Sequence, residues 1–190
     1  ISLAAGFFAA HWFAGLGWSV AGVYSAIVLA TGPTVVTPLV RQIRLASPLS
    51  DVLEAEGLIL EPIGAVLALL LLELVVGDLH GWRELLLGLL SRLGGGVLIG
   101  SIAGLLLSEG LKRLRSEPNT GIRLQLTLGV IFLLYGVCEW LLPESGLPAS
   151  VAAGFVVGQR PSTQANELDK LIRELAQLAI TMLFPLLAAD

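Results

Sequence analysis

Residues 51–76 read DVLEAEGLILEPIGAVLALLLLELVV. From Pro62 to Leu72 the stretch carries no charge, and the run closes on Glu73. A helix crossing the hydrocarbon core of a bilayer needs about 20 predominantly apolar residues, and 51–76 is long enough to supply them. Three glutamates, Glu54, Glu56 and Glu61, enter this helix. Depth sets Glu61 apart, because it lies about 15 Å of helix rise beyond Asp51. A carboxylate that deep is costly unless it is protonated, paired or hydrated, and it is a functional candidate for that reason. The plainer alternative is a neutral, hydrogen-bonded structural acid. Glu54 and Glu61 are seven apart and share a face, whereas Glu56 and Glu61 are separated by about 140° around a straight helix. Glu56 is therefore expected to face a basic partner and Glu61 a cavity. Pro62 deprives the Leu58 carbonyl of its helical partner and is read as a helix break.

Working outward, the rest of the chain has the same character. Of its 190 residues 55% are hydrophobic and 14% charged, with a mean hydropathy of +0.86. Soluble domains carry roughly 25% charged residues, so an ordinary water-soluble domain is excluded. The net charge of −4 gives no footprint for nucleic acid. The single Cys138 forms neither an internal disulfide nor a metal site. It reads as a small packing residue. The chain starts at Ile1, and residues 1–40 hold no Asp, Glu, Lys or Arg. With no basic leader, it reads as an internal piece of a longer membrane protein. About six or seven apolar segments follow one another, near 1–16, 18–40, 51–76, 93–111, 122–142, 145–158 and 168–189. Residues 82–92, WRELLLGLLSR, read either as an amphipathic lead-in at the interface or as part of the fourth helix.

Positive charge alternates between the connections. Arg41 and Arg44, then Lys112, Arg113, Arg115 and Arg123, then Arg160, Lys170 and Arg173 fall in every second one. The positive-inside rule places these in the cytoplasm and His80 outside. Trp12, Trp18, Trp82 and Trp140 suit interfacial anchors. His11 and His80 lack partners at metal spacing. Small residues recur every four positions at Gly96, Gly100, Gly104 and Ser108, at Gly22, Ala26 and Ala30, and at Ser150, Gly154 and Gly158. Such stripes let helix backbones approach closely.

The second candidate span is interrupted by Thr31-Gly32-Pro33-Thr34. Proline removes an N–H and clashes with the carbonyl four residues back, so Gly32 and Pro33 predict a break at membrane depth. The plain alternative is a kink for packing. Irregular backbone at that depth is tolerated where it is buried in protein or lines a wet cavity, and broken helices of this kind hold ions in secondary transporters. No nucleophile–base pair and no phosphate-binding loop are present, which argues against an enzyme.

Together, ATGPTVVTPLVR (30–41), EAEGLILEPIGAVLALLLLE (54–73), and ESGLPASVAAGFVVGQR (144–160) followed by LIRELAQLAITMLFPLLAA (171–189) resemble the monovalent cation:proton antiporter superfamily, the sodium/hydrogen exchangers. The resemblance implies an all-α, polytopic transmembrane bundle with a broken helix, part of an inverted-repeat antiporter fold, of which residues 1–190 are one partial transmembrane domain. It implies exchange of Na⁺, Li⁺ or K⁺ for protons, with these ions as cargo and no cofactor. Thr31 takes the place of a threonine whose backbone carbonyl contacts the cation. Glu61 takes the place of the aspartate that binds cation or proton, and Glu56 that of a glutamate paired with an arginine on a later helix. Thr34 is a further oxygen donor. Three positions depart from the family pattern: Gly32 stands for the usual Asp, Gly57 for Ser and Leu60 for Asn or Asp. The alternative function is a non-transporting membrane scaffold or interaction homologue with a degenerate ion site. The expected partners are the lipid bilayer, monovalent cations and protons, and a second copy joined through helices outside this fragment. The expected location is the bacterial inner (plasma) membrane.

Overall fold

The structure is a computed structural model and describes residues 1–30, 43, 47–77, 81–113, 120–159, 173–179, 181–183 and 185. The described elements are α1 (Ser2–Trp12), α2 (Trp18–Leu29), α3 (Ser47–Val76), α4 (Trp82–Arg113), α5 (Thr120–Leu141) and α6 (Gly146–Gly158), with helical turns at 173–179 and 181–183. No strand occurs among the described residues. The all-α transmembrane bundle expected from the sequence is what forms. α3, α4 and α5 are each long and apolar enough to cross a membrane, and α2 and α6 are shorter apolar helices.

Two expectations about continuity are resolved. α3 runs unbroken for 30 residues through Pro62, so Pro62 is not a helix break. Its ring costs one backbone hydrogen bond, and the long apolar helix on either side absorbs that loss. Residues 82–92 are the first turns of α4, which continues for 32 residues. Leu85 in that stretch is buried against Val66 and Leu70 of α3, with Leu89 and Leu93 packed around them. Packing, not the interface alone, holds the lead-in as helix.

Glycines set how closely the helices meet. Gly96, Gly100, Gly104 and Ser108 are all buried on one face of α4. A Cβ added at Gly96 would lie 2.7 Å from the Ser145 carbonyl oxygen, and one at Gly104 would lie 2.9 Å from the Ala153 Cα. At Gly100 it would overlap the Ala149 carbonyl oxygen. α4 and α6 thus run side by side, backbone against backbone, in the same direction. Leu134 and Cys138 of α5 close the cluster over Ala149 and Ala153, so Cys138 is the packing residue expected. The stripe Ser150, Gly154, Gly158 behaves otherwise: Gly154 and Gly158 are exposed, with nothing within 4 Å of an added Cβ. The face of α6 that packs lies one residue earlier, at Ala149 and Ala153.

On the other side, α1 and α2 form a hairpin. The His11 ring stacks on Trp18 at 3.6 Å and its Nδ1 lies 2.7 Å from the Leu16 carbonyl oxygen. His11 therefore shapes the turn. An added Cβ at Gly22 would meet Leu71 at 4.0 Å, and one at Gly64 would meet Ala30. These two pairings make α2 and α3 antiparallel. Followed through the contacts, Trp12, Trp18, Trp82 and Trp140 all fall toward one end of the bundle and are exposed, while Lys112, Arg113 and Arg123 stand at the other. His80, Arg41, Arg44, Arg115, Arg160 and Lys170 lie outside the described residues. Much of the apolar surface faces outward, Leu106 and Phe132 at 70% and 74% exposure among it. An aqueous monomer does not carry so much exposed apolar side chain, and lipid or neighbouring helices are its natural surroundings.

The stripe on α4 yields a first prediction. Gly100→Ala forces α6 away from α4 and should destabilise the protein by about 1–3 kcal/mol, the range for overpacking. Gly129→Ala, where an added Cβ meets nothing, should leave stability unchanged or slightly raised. Thermal melts of the two variants in detergent, each against the parent, measure the difference.

Candidate functional site

Glu61 occupies the middle of the 30-residue α3, about 18 Å of helix rise from Glu73 at the tryptophan-rich end. It is half-buried, and its neighbour Pro62 is buried. The helical repeat brings Gly57 and Gly64 onto its face, one turn before and one turn after, and both are buried. Glu54 is half-buried, whereas Glu56 and Asp51 are exposed. Glu56 thus points elsewhere than Glu61, as the 140° separation requires, and among the described residues no cation pairs with it.

The end of α2 stands against this face. The helix stops at Leu29 and is capped by Ala30 (φ −72°, ψ 57°), whose N–H donates to the Ile27 carbonyl at 3.2 Å. A Cβ placed on Gly64 would lie 2.8 Å from the Ala30 Cβ and 3.0 Å from both its Cα and its N. Residues three apart on a helix have Cβ atoms about 5–6 Å apart, so the end of α2 is seated one turn from Glu61. Thr31, Gly32, Pro33 and Thr34, which follow Ala30, lie outside the described residues. Ala30, the last described residue before the first motif, therefore meets Gly64, which lies just after Glu61 in the second, a contact that the sequence does not reveal by itself. The signal that could have suggested it is Ala30 and Gly64 each lying beside a candidate ligand.

A second group of charges lies at the tryptophan-rich end. Arg92 Nη2 of α4 donates to both carboxylate oxygens of Glu73 on α3, at 2.9 and 3.1 Å. The partner of Glu73, which closes the apolar run of α3, thus lies on another helix. The Glu144 backbone N–H, in the α5–α6 turn, donates to Glu139 Oε1 at 2.9 Å. Ser145 Oγ closes the same turn on the Cys138 carbonyl at 3.1 Å. Glu144 holds φ 64°, the left-handed region, which costs a non-glycine residue about 1–2 kcal/mol. Burial pushes the Glu144 carboxyl up, the nearby Glu139 adds to the rise, and Arg92 opposes it.

Helices long and apolar enough to cross a membrane and glycine-mediated backbone contact between them describe a polytopic helical membrane protein, with Glu61 half-way along one of those helices. The comparison with known families makes this specific. A family model described as "Sodium/hydrogen exchanger, transmembrane" matches residues 1–190. The chain belongs to the sodium/hydrogen exchanger family, an integral membrane family whose activity is cation:proton antiport and whose members are transporters, not enzymes. No curated protein and no solved structure matches the chain.

The turn cluster carries a pH prediction. An acid whose affinity for its proton is raised by folding stabilises the fold fully below the ordinary carboxylate value of 4.5, and that contribution is lost as the pH climbs through the raised value. Melting temperatures recorded across the acid range should therefore fall with rising pH in the parent, and Glu144→Gln should flatten that part of the curve.

Proposed function

We propose that this chain forms the exchange unit of a monovalent cation:proton antiporter in which Glu61 is held alternately by a proton and by Na⁺, Li⁺ or K⁺. The observation that carries the reading is the seating of Ala30 on Gly64, one turn from Glu61. It brings the end of a short apolar helix, the one that precedes Thr31–Thr34 in the sequence, to an acid at the mid-length of a spanning helix. Transporter ion sites are built in this way near the bilayer midplane, where interrupted helices offer free backbone groups. Hard alkali cations take oxygen ligands. A carboxylate at Glu61, carbonyls at Thr31 and the hydroxyl of Thr34 form a donor set of that kind. Protonation removes the negative charge from Glu61, so proton and cation compete for one seat. One exchanging carboxylate supports one-for-one, electroneutral exchange.

The structural charges are kept apart from this seat. Glu73 is tied to Arg92 by two hydrogen bonds, and a carboxylate so held is a poor exchanging group. Glu56, on another face of α3, is reserved in this reading for a basic partner on a later helix.

Two measurements on the full-length exchanger test the reading. In proteoliposomes, Glu61→Gln should reduce pH-gradient-driven Na⁺, Li⁺ and K⁺ exchange to the level of empty vesicles; full, pH-dependent exchange by that variant would contradict the assignment. In detergent, cation at a hundred times its dissociation constant should stabilise the parent by about 2.7 kcal/mol through mass action, and Glu61→Gln should lose that gain. Absence of any cation-dependent stabilisation in the parent would favour the scaffold alternative.

A further inference from the structure

We infer that Gly64 is a positioning residue for cation binding: its missing side chain is what allows the C-terminal end of α2 to sit beside Glu61. The inference rests on the assignment of Glu61 made above and extends it to a residue that offers no ligand of its own. An added Cβ at Gly64 would come to 2.8 Å from the Ala30 Cβ and 3.0 Å from Ala30 backbone atoms. The obstacle is therefore largely main chain, at the cap of a helix, and not the tip of a flexible side chain that turns aside. Elsewhere on α3 the contrast is plain, since an added Cβ at Gly88 of α4 would meet only the terminal methyl of Leu70 at that distance.

The consequence is selective. α2 ends at Leu29 with Ala30 as its cap, and Thr31, whose carbonyl the proposed reading takes as a cation ligand, is the next residue along the chain. A cation needs several oxygens around Glu61, whereas a proton needs the carboxylate alone. Moving the end of α2 outward removes ligands from the cation and none from the proton. Cation affinity should fall while the acid itself remains, and the proton then competes better at any given cation concentration. The pH profile of exchange moves alkaline as a result. A displacement of about 1 Å in a positioned group costs up to about 10²-fold, so a rise of about tenfold in the cation KM is the expected scale.

The test uses the full-length exchanger in proteoliposomes, with Na⁺, Li⁺ and K⁺ as the probes. Gly64→Ala should raise the KM for the transported cation about tenfold, shift the pH profile to higher pH and leave kcat at saturating cation close to that of the parent. Ala30→Gly combined with Gly64→Ala removes the opposing Cβ at 2.8 Å but leaves the backbone Cα and N at 3.0 Å, so it should recover only part of the lost affinity. Gly100→Ala, which loosens a distant helix pair, should lower the melting temperature without moving KM or the pH profile. If Gly64→Ala does not accumulate as folded protein, Ala30→Val presses on the same contact from α2 and should show the same KM rise and alkaline shift. An unchanged KM and pH profile in the folded Gly64 or Ala30 variant overturns the inference. Glu61→Gln measured in parallel separates the two claims: its loss of exchange together with an unaltered Gly64→Ala removes only the positioning role, whereas its retention of exchange removes the site assignment itself.

Discussion

Backbone-to-backbone approach between helices, permitted wherever a Cβ is missing, is the constraint on which this structure depends. In lipid there is little hydrophobic drive to bring two apolar helices together, so association rests on van der Waals contact over closely matched surfaces. α4 and α6 meet through Gly96, Gly100 and Gly104 against Ser145, Ala149 and Ala153. α2 and α3 meet through Gly64 against Ala30. The first contact builds the bundle, and the second places the candidate site. The same device, a glycine facing main chain, serves both purposes, and only its position relative to Glu61 distinguishes them.

Charge is distributed along the bundle axis in three levels. The tryptophan-rich end holds Glu73, Arg92, Glu139 and Glu144, in which a guanidinium engages Glu73 and the Glu144 backbone N–H engages Glu139. The opposite end holds Lys112, Arg113 and Arg123, with Lys112 and Arg113 closing the last turn of α4, where cations suit the helix dipole. Between them, half-way along α3, stands Glu61. Charges at the two ends can reach water or one another. On the proposed reading, a carboxylate at the middle has its protonation and ion occupancy set by the few groups brought to it, and the seating of α2 then matters more than any interaction at the ends.

Much of the fold was legible because a bilayer imposes simple rules. Runs of apolar residues between charges delimit α3 and α5, the four-residue glycine spacing marks the packed face of α4, and the tryptophans mark one end. Legibility failed where the answer depends on a partner. Spacing made Ser150, Gly154 and Gly158 as good a stripe as Gly96, Gly100 and Gly104, yet the neighbouring face of α6 is the one in contact, because α4 approaches from that side. Pro62 looked like a break by its own chemistry, but the apolar helix around it carries through. Glu73 is visible in the sequence as the charge that ends an apolar run, but its pairing with Arg92 of α4 is not. The site divides in the same way: the mid-length position of Glu61 follows from counting residues, whereas the contact between Ala30 and Gly64 is a tertiary fact with no local signature.

The departures from the family pattern bear on how such a site would work. Gly57 and Leu60 place no side-chain oxygen where the pattern has Ser and Asn or Asp, and Gly32 places none where it has Asp. On the proposed reading, those losses leave Glu61 as the dominant charge and shift the remaining coordination to backbone and hydroxyl oxygens. Backbone oxygens cannot be re-aimed by rotating a side chain; their direction is fixed by where the helix that carries them is held. A site with few side-chain donors is therefore unusually sensitive to helix placement. At Gly64, one turn from Glu61 on its own face, the end of the neighbouring helix already closes in through Ala30. The fewer ligands the side chains supply, the more the selectivity of the seat becomes a property of helix packing.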